Sequence, residues 1–321
     1  MSFESRSILV TGGAGFIGSH LVDALVGMGA YVTILDNLST GSRENVRRWI
    51  GNRQFSLQVG DCLKAEDLGK AMEDQEVVFH AAANPEVRAA LTDPRVDFEQ
   101  NVLATKMVLE EMRKSRAANT IGFTSTSTIY GEAKQLPTPE DYGPLIPISL
   151  YGASKLACEA LISGYCHMFG LRSVIYRFAN IVGSRSRHGV VWDFIQKLRK
   201  NPEELEILGD GTQSKSYLLV DDCVEAFLIG LEKAPEKLET YNVGSSTRIT
   251  VTEVAKIVLE EMKLEDVHFT FTGGVEGGRG WKGDVKTMLL DTSKMERLGW
   301  RSKRDSAESV RIAARQLSGE L

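Results

Sequence analysis

Three glycines at intervals of three, Gly12, Gly15 and Gly18, follow a short apolar run from Ile8 to Val10. Few features restrict folding choices as much. The apolar run reads as a short buried strand. The glycine turn then leads into a helix predicted over 16–28. In such a turn the first glycine permits the sharp bend, the second lets the backbone approach a ligand, and the third lets the helix pack on the strand. The spacing is G-x-x-G-x-x-G, not the commoner G-x-G-x-x-G. A helix N-terminus placed there offers amide donors to a pyrophosphate. A second strand over 31–35 ends in Asp36, 18 residues after Gly18. An acidic side chain at that point can bond an adenosine ribose and repels a 2′-phosphate. NAD is therefore expected over NADP, although Arg43 lies nearby.

Strand and helix patterns alternate through the first half. Strands are predicted over 8–10, 31–35, 54–59, 77–81, 121–125 and 172–177. Helices are predicted over 16–28, 66–73, 101–114 and 150–169. Repeated β-then-α order implies an α/β fold, a doubly wound parallel sheet covered on both faces. The runs 77–81 and 121–125 are continuous and not alternating, as buried parallel strands should be. Ligands on such sheets bind beyond the carboxyl ends of the strands. Gly12, Asp36, Asp61, Ala81 and Ser125 all fall at those ends. Asp61 is placed either to meet an adenine or to cap a helix over 64–73.

The second half has longer, glycine-richer loops, at 183–189, 209–211 and 273–280. A strand over 217–220, Asp222 capping a helix over 223–233, and the segment 240–244 read as returns to the first domain. The expected division is a dinucleotide-binding domain over 1–180 with 215–248 returning to it, and a smaller interwoven lobe from 181–214 and 249–321. The chain has 321 residues and a net charge of −5 without long runs of one sign. Nothing in it suggests a nucleic-acid or membrane-binding surface. No apolar run approaches 18 residues, and the N-terminus enters a core strand at once, so neither a spanning helix nor a secretory leader is expected. The four cysteines, Cys62, Cys158, Cys166 and Cys223, form no C-x-x-C pair. They fit a reduced, cytoplasmic protein. The histidines lack metal-ligand spacing, so no metal is expected, and His20 and His80 read as packing or supporting residues.

Tyr151 and Lys155 are four residues apart in a predicted helix, one turn from each other on the same face. A lysine ammonium that close favours the phenolate and lowers the tyrosine pKa from about 10. Tyr151 follows Pro147 and Ser149, close to the helix start, where the positive end of the dipole adds to the effect. The pair supplies a base that works near neutral pH.

Together these residues resemble the extended short-chain dehydrogenase/reductase family, and within it the nucleotide-sugar 4-epimerases of UDP-galactose 4-epimerase type. The resemblance spans nearly the whole chain. It implies a Rossmann-type doubly wound parallel sheet with a smaller, interwoven C-terminal substrate-binding lobe, bound NAD, and a UDP-sugar substrate. The glycine motif is Thr11 to Gly18 and the active-site pair is Tyr151 and Lys155. The family's serine or threonine falls at Thr126, in a segment ending Tyr130-Gly131. Candidate cofactor contacts are Gly12, Gly15, Phe16, Ile17, Gly18, Asp36, Asn37, Asp61, Cys62, Ala81, Ala82 and Asn101, with Tyr151 and Lys155. On the substrate side the family's Arg-x-x-Asn is Arg177 to Asn180, placing Asn180 at the diphosphate. The segment 209–216 ends Lys215-Ser216 where the family usually has Arg-Asp, and lysine grips a phosphate less specifically than arginine. Arg279 matches a late diphosphate arginine in a setting two residues longer than usual. Met288 matches a gate on sugar size.

The resemblance also implies a reaction. Tyr151 takes the proton of the sugar 4-hydroxyl, a 4-ketose forms, and hydride return to the other face inverts C4. Family dehydratases place Asp-Glu directly after the threonine, and family decarboxylases place Glu at the second of those positions. This chain has Ser127-Thr128. The alternatives are a 4,6-dehydratase, a decarboxylase, or a non-catalytic dinucleotide-sensing protein on the same fold. A homodimer is implied through helices 101–114 and 150–169, the second offering Leu156, Ala160, Leu161 and Gly164.

Overall fold

A computed structural model describes residues 2–320. In chain order the first half contains β1 (Ser7–Thr11), α1 (Phe16–Gly27), β2 (Tyr31–Asp36), β3 (Phe55–Val59), α2 (Ala65–Met72), β4 (Val77–His80), the short α3 (Arg95–Asp97), α4 (Ala104–Lys114), β5 (Thr120–Thr126), α5 (Leu150–Phe169) and β6 (Arg172–Phe178). Then come β7 (Asn180–Val182), α6 (Val190–Lys200), β8 (Glu204–Ile207), β9 (Ser214–Lys215), β10 (Tyr217–Leu219), α7 (Val220–Lys233), β11 (Leu238–Val243), β12 (Ile249–Thr250), α8 (Val251–Met262), β13 (His268–Phe271), β14 (Thr287–Met288), α9 (Ser293–Arg297) and α10 (Ser306–Gly319).

Seven strands form one sheet in the order β11-β6-β5-β4-β1-β2-β3. The pairs β1/β2, β1/β4, β2/β3 and β4/β5 run parallel. This is the Rossmann-type α/β sheet that the β-α alternation predicts. Strand order reverses between β1 and β4, which defines the switch point where ligands bind. Val77, Val78, Phe79 and His80 are all buried, as both edges and both faces of β4 are covered. Gly122 on β5 is needed for close packing, because a Cβ there would stand 2.8 Å from the Phe79 ring.

The chain divides into two compact units. One comprises Met1–Ser125, Ser154–Tyr176 and Ala226–Tyr241. Its core includes Leu9, Leu35, Val78, Val108, Ile121, Phe123 and Ile162. The other comprises Thr126–Ala153, Arg177–Glu225 and Asn242–Leu321. Its core gathers Phe194, Ile195, Leu205, Ile207, Val254, Val258, Val310 and Leu317. The boundaries fall inside β5, α5, β6, α7 and β11 and not in loops.

Two expectations are corrected. The helix expected over 101–114 is α-helical only from Ala104, with a π-helical turn at Phe98–Leu103 before it. Asp222 does not cap a helix over 223–233. The helix begins at Val220, immediately after β10, which puts Asp222 in its first turn. Its carboxylate accepts instead from the Lys303 amide at 3.0 Å and Arg304 Nη1 at 3.1 Å. The sequence reading also omitted α6, α8 and α10, whose apolar faces fill the second core. Two of them carry clear start signals. Thr250 and Glu253 form a capping box on α8, and the Asp305 carboxylate caps α10.

Candidate functional site

In the first unit, the glycine turn is held as its spacing requires. Gly12 has φ +69°, and a Cβ there would lie 2.7 Å from the Ala82 nitrogen. A Cβ on Gly18 would lie 2.1 Å from the Gly12 carbonyl oxygen. Gly15 is the N-cap of α1 and brings no side-chain cap, so the amides of the helix start, beginning with Phe16 and Ile17, meet no capping oxygen from it. A helix N-terminus without a side-chain cap, behind a glycine turn, fits a pyrophosphate.

Asp36 closes β2 at 7% exposure. Its carboxylate accepts from the Ala14 amide at 2.9 Å and the Leu38 amide at 2.8 Å. The residue that the sequence assigns to a ribose therefore also pins the glycine turn to the strand. Asn37 donates to Asp61 Oδ2 at 3.4 Å, and Asp61 Oδ1 accepts from the Leu63 amide at 2.9 Å. Asp61 makes this local turn and is not the cap of α2, whose N-cap position is Lys64. Cys62 is buried, and that burial first, then Asp61 and Asp36, pushes its thiol up to about 12. It is inert as a nucleophile. Ala81 follows β4, its amide bonded to the Thr11 carbonyl at 3.1 Å.

Lys155 is 2% exposed. Its ammonium donates to the Thr124 carbonyl at 2.8 Å and stands 4.9 Å from the Phe123 ring centroid. Burial lowers its pKa from 10.5 to about 8, against the pull of Cys158, Asp97 and Glu159. Asn101 is buried in the π-helical turn. Its Nδ2 donates to Ser154 Oγ at 2.9 Å, and its Oδ1 accepts from the Asn84 amide at 2.9 Å. His80 fits the supporting reading. Its ring spans Thr11 Oγ1 at 2.7 Å and Thr105 Oγ1 at 3.1 Å, and burial, with Lys155 adding to it, lowers its pKa to about 3.

In the second unit, Thr126 is 8% exposed and its Oγ1 accepts from the Thr128 amide at 3.2 Å. Accepting that bond leaves the hydroxyl proton for donation, to Thr128 Oγ1 at 3.1 Å or to a substrate oxygen. The following single turn, Ser127–Tyr130, ends at Gly131 with φ +59°, where a Cβ would strike the Ile146 carbonyl at 2.1 Å. Tyr151 lies in the first turn of α5, one helical turn before Lys155. A Cβ on the next residue, Gly152, would lie 2.8 Å from the Thr128 carbonyl, so this turn packs against the Thr126–Thr128 segment.

Asn180 begins β7, and its buried Nδ2 has no hydrogen-bond partner. A buried orphan amide is a donor in want of an acceptor. Lys215 pairs with Asp284 at 2.5 Å and lies 5.4 Å from the Trp281 ring centroid. Met288 is 7% exposed and sits opposite Lys215 in the parallel β9/β14 register. Arg279 binds Glu132 Oε1 through Nε at 3.1 Å and Nη2 at 2.8 Å. Each predicted diphosphate cation thus already carries a carboxylate partner. Asn84, Asp97, Ser154, Glu159, Glu132 and Asp284 were missed. Glu159 at four residues beyond Lys155, and Asp97 at four before Asn101, carried a helix-spacing signal.

Among the described residues no helix is long and apolar enough to cross a membrane. Residues 8–244 match the NAD dependent epimerase/dehydratase family. A putative UDP-glucose 4-epimerase of Methanocaldococcus jannaschii is 36% identical over 95% of this chain and 96% of its own. A crystal structure of a UDP-galactose 4-epimerase superposes with TM-score 0.87 at 44% identity, covering 98% of this chain and 100% of that one. A UDP-glucuronic acid 4-epimerase from Bacillus cereus, solved with UDP-glucuronic acid and NAD, gives TM-score 0.89 at 28% identity, covering 98% and 100%.

Proposed function

The chain belongs to the NAD dependent epimerase/dehydratase family, and we propose that it interconverts the C4 epimers of a UDP-hexose, of the UDP-glucose/UDP-galactose kind. NAD, the family's cofactor, would when bound supply the hydride acceptor, and then donor, for the sugar C4. The glycine turn and the start of α1 would hold its pyrophosphate, and Asp36 its adenosine ribose. The Tyr151 phenolate takes the 4-hydroxyl proton and later returns it. The Lys155 ammonium favours that phenolate from one turn away. Thr126 donates its hydroxyl proton to the sugar oxygen and orients it. Asn180 Nδ2, Lys215 and Arg279 hold the diphosphate. Anchoring at the diphosphate while the 4-ketose turns over uses remote binding energy to leave the reacting ring loosely held.

The observation that carries this reading over its rivals is the hydroxyl pair Ser127-Thr128 after Thr126. Elimination or decarboxylation after the oxidation needs acid or base groups at the sugar's C5 and C6, and neither hydroxyl transfers protons usefully near pH 7. The 4-ketose then has one productive exit, which is inversion. The intact Thr126/Tyr151/Lys155 set argues against a dinucleotide sensor. The test is product analysis by anomeric proton NMR with UDP-glucose and UDP-glucuronate. UDP-galactose from UDP-glucose supports the proposal. A 4-keto-6-deoxy sugar or a pentose as main product overturns it, and a uronate epimer alone moves the substrate class. Tyr151→Phe should cut turnover about 10²–10⁴-fold with NAD still bound. The same reading makes the enzyme a cytoplasmic homodimer paired through α4 and α5. Light scattering at micromolar concentration showing only a 35.4 kDa species would sink the dimer.

A further inference from the structure

Lys155 is a buried cation whose ammonium donates to a backbone carbonyl and not to a carboxylate. A buried charge without compensation is costly, so something must offset it. Several groups surround it. From β4 comes His80, a ring neutral above about pH 3. From β5 come the Phe123 ring and the Thr124 carbonyl. From its own helix come Cys158, whose thiol is raised by burial, and Glu159, bonded to Ser125 Oγ. Tyr151 lies one turn back on that helix. From α3, on a separate element, comes the charge of Asp97, 1% exposed and felt by Lys155 through space.

Asp97 is held with unusual care. Its Oδ1 accepts from Asn84 Nδ2 at 2.9 Å and Asn101 Nδ2 at 3.4 Å, while its buried Oδ2 has no partner. Asn101 Nδ2 also reaches Ser154 Oγ at 2.9 Å, the residue next to Lys155. The carboxylate is thus tied through Asn101 to the turn that carries the lysine. The π-helical turn at Phe98–Leu103 starts immediately after Asp97 and puts Asn101 in this network. Such turns cluster at functional sites.

We propose that Asp97 is a positioning residue for the reaction, a buried counter-charge that keeps Lys155 an aimed ammonium beside Tyr151. It touches neither substrate nor the reacting atoms and acts through the lysine. Burial raises the pKa of Asp97 and lowers that of Lys155, and against that burial each of the two charges favours the ionised form of the other. The role of Lys155 rests on the epimerase reading given above, so the experiment separates the two.

The first arm is a double-mutant cycle read by urea unfolding, with Asp97→Asn, Lys155→Met and the pair. The expected result is that the double variant loses less than the sum of the singles, by about threefold or more in the folding constant. Additive losses overturn the proposal whatever the activity is. The second arm is the pH profile of kcat/KM. Asp97→Asn should move the alkaline loss of activity downward by about half a pH unit or more, and Asp97→Glu should restore part of it. An Asp97→Asn profile that coincides with wild type overturns the proposal. If Asp97→Asn alone does not fold, recovery of a folded protein by adding Lys155→Met supports the counter-charge, and failure of both alike overturns it. Activity that survives Tyr151→Phe and Lys155→Met would remove the epimerase reading and leave the unfolding cycle standing on its own.

Discussion

The Lys155 ammonium donates to the carbonyl oxygen of Thr124 at 2.8 Å, which fixes the lysine to the end of β5. One donor is committed to the strand and two are left for other acceptors. Because burial lowers the pKa to about 8, the charge is present at neutral pH and lost as pH rises through that value. Activity that needs the ammonium should therefore fall on the alkaline side near pH 8. A plateau of kcat/KM extending to pH 10 would contradict this. Lys155→Arg should not rescue, because a planar guanidinium cannot replace a compact ammonium in a closed site.

His80 makes the matching prediction for stability. Its folded pKa is depressed to about 3, while the unfolded chain titrates near 6.5. Below 6.5 the unfolded state binds the proton and the folded state does not. Stability from this group is therefore full above about pH 6.5 and is lost as pH falls toward 3. Between pH 7.5 and 5 the loss should be about 2 kcal/mol, at about 1.4 kcal/mol per pH unit below 6.5. His80→Gln should be less stable at pH 7.5 but should lack this slope, and subtracting its urea curves from wild type removes the carboxylate contributions. Parallel pH dependences for the two proteins would show that His80 titrates normally.

Asp36 should discriminate cofactors. Calorimetry on the purified protein should give NADP binding weaker than NAD by about tenfold or more, which is about 1.4 kcal/mol. Asp36→Asn keeps an acceptor for the Ala14 amide but removes the charge, so the gap should narrow with NAD affinity largely kept. Asp36→Ala also removes the acceptor that holds the Ala14 amide of the glycine turn and should weaken both cofactors. Equal affinities in the wild type would refute the assignment.

The glycine turn, the sheet and the Tyr151/Lys155 turn were legible because their signals are local. Three glycines, a closing aspartate and an i, i+4 pair each act within a few residues. What lay beyond reading were partners far apart in sequence. Lys215 meets Asp284, Arg279 meets Glu132, Asp97 meets Asn84, and Asn101 joins them from a π-helical turn that no spacing rule announces. Asp222 looked like a cap because it precedes an apolar run. Tertiary contacts with Lys303 and Arg304 decided its role instead.

Lys215 poses the sharpest separation of structure from binding. Its pair with Asp284 is largely closed off, with side chains 19% and 3% exposed. Lys215→Met strands the aspartate as an uncompensated buried charge. Breaking a fully buried pair costs about 3–5 kcal/mol, and the partial exposure of the lysine reduces this. A fall in UDP affinity in that variant alone would therefore be uninformative. Adding Asp284→Asn removes the stranded charge and should recover most of the stability in urea unfolding. If the lysine grips the diphosphate, calorimetric UDP binding in the double variant should stay weaker than wild type by about tenfold, the scale of a lost charge-assisted hydrogen bond. Lys215→Arg should keep both properties, since it retains a cation on the same strand with a fork suited to phosphate. Recovery of UDP affinity together with stability in the double variant would mean that Lys215 serves only to neutralise Asp284, and that Asn180 and Arg279 carry the diphosphate without it.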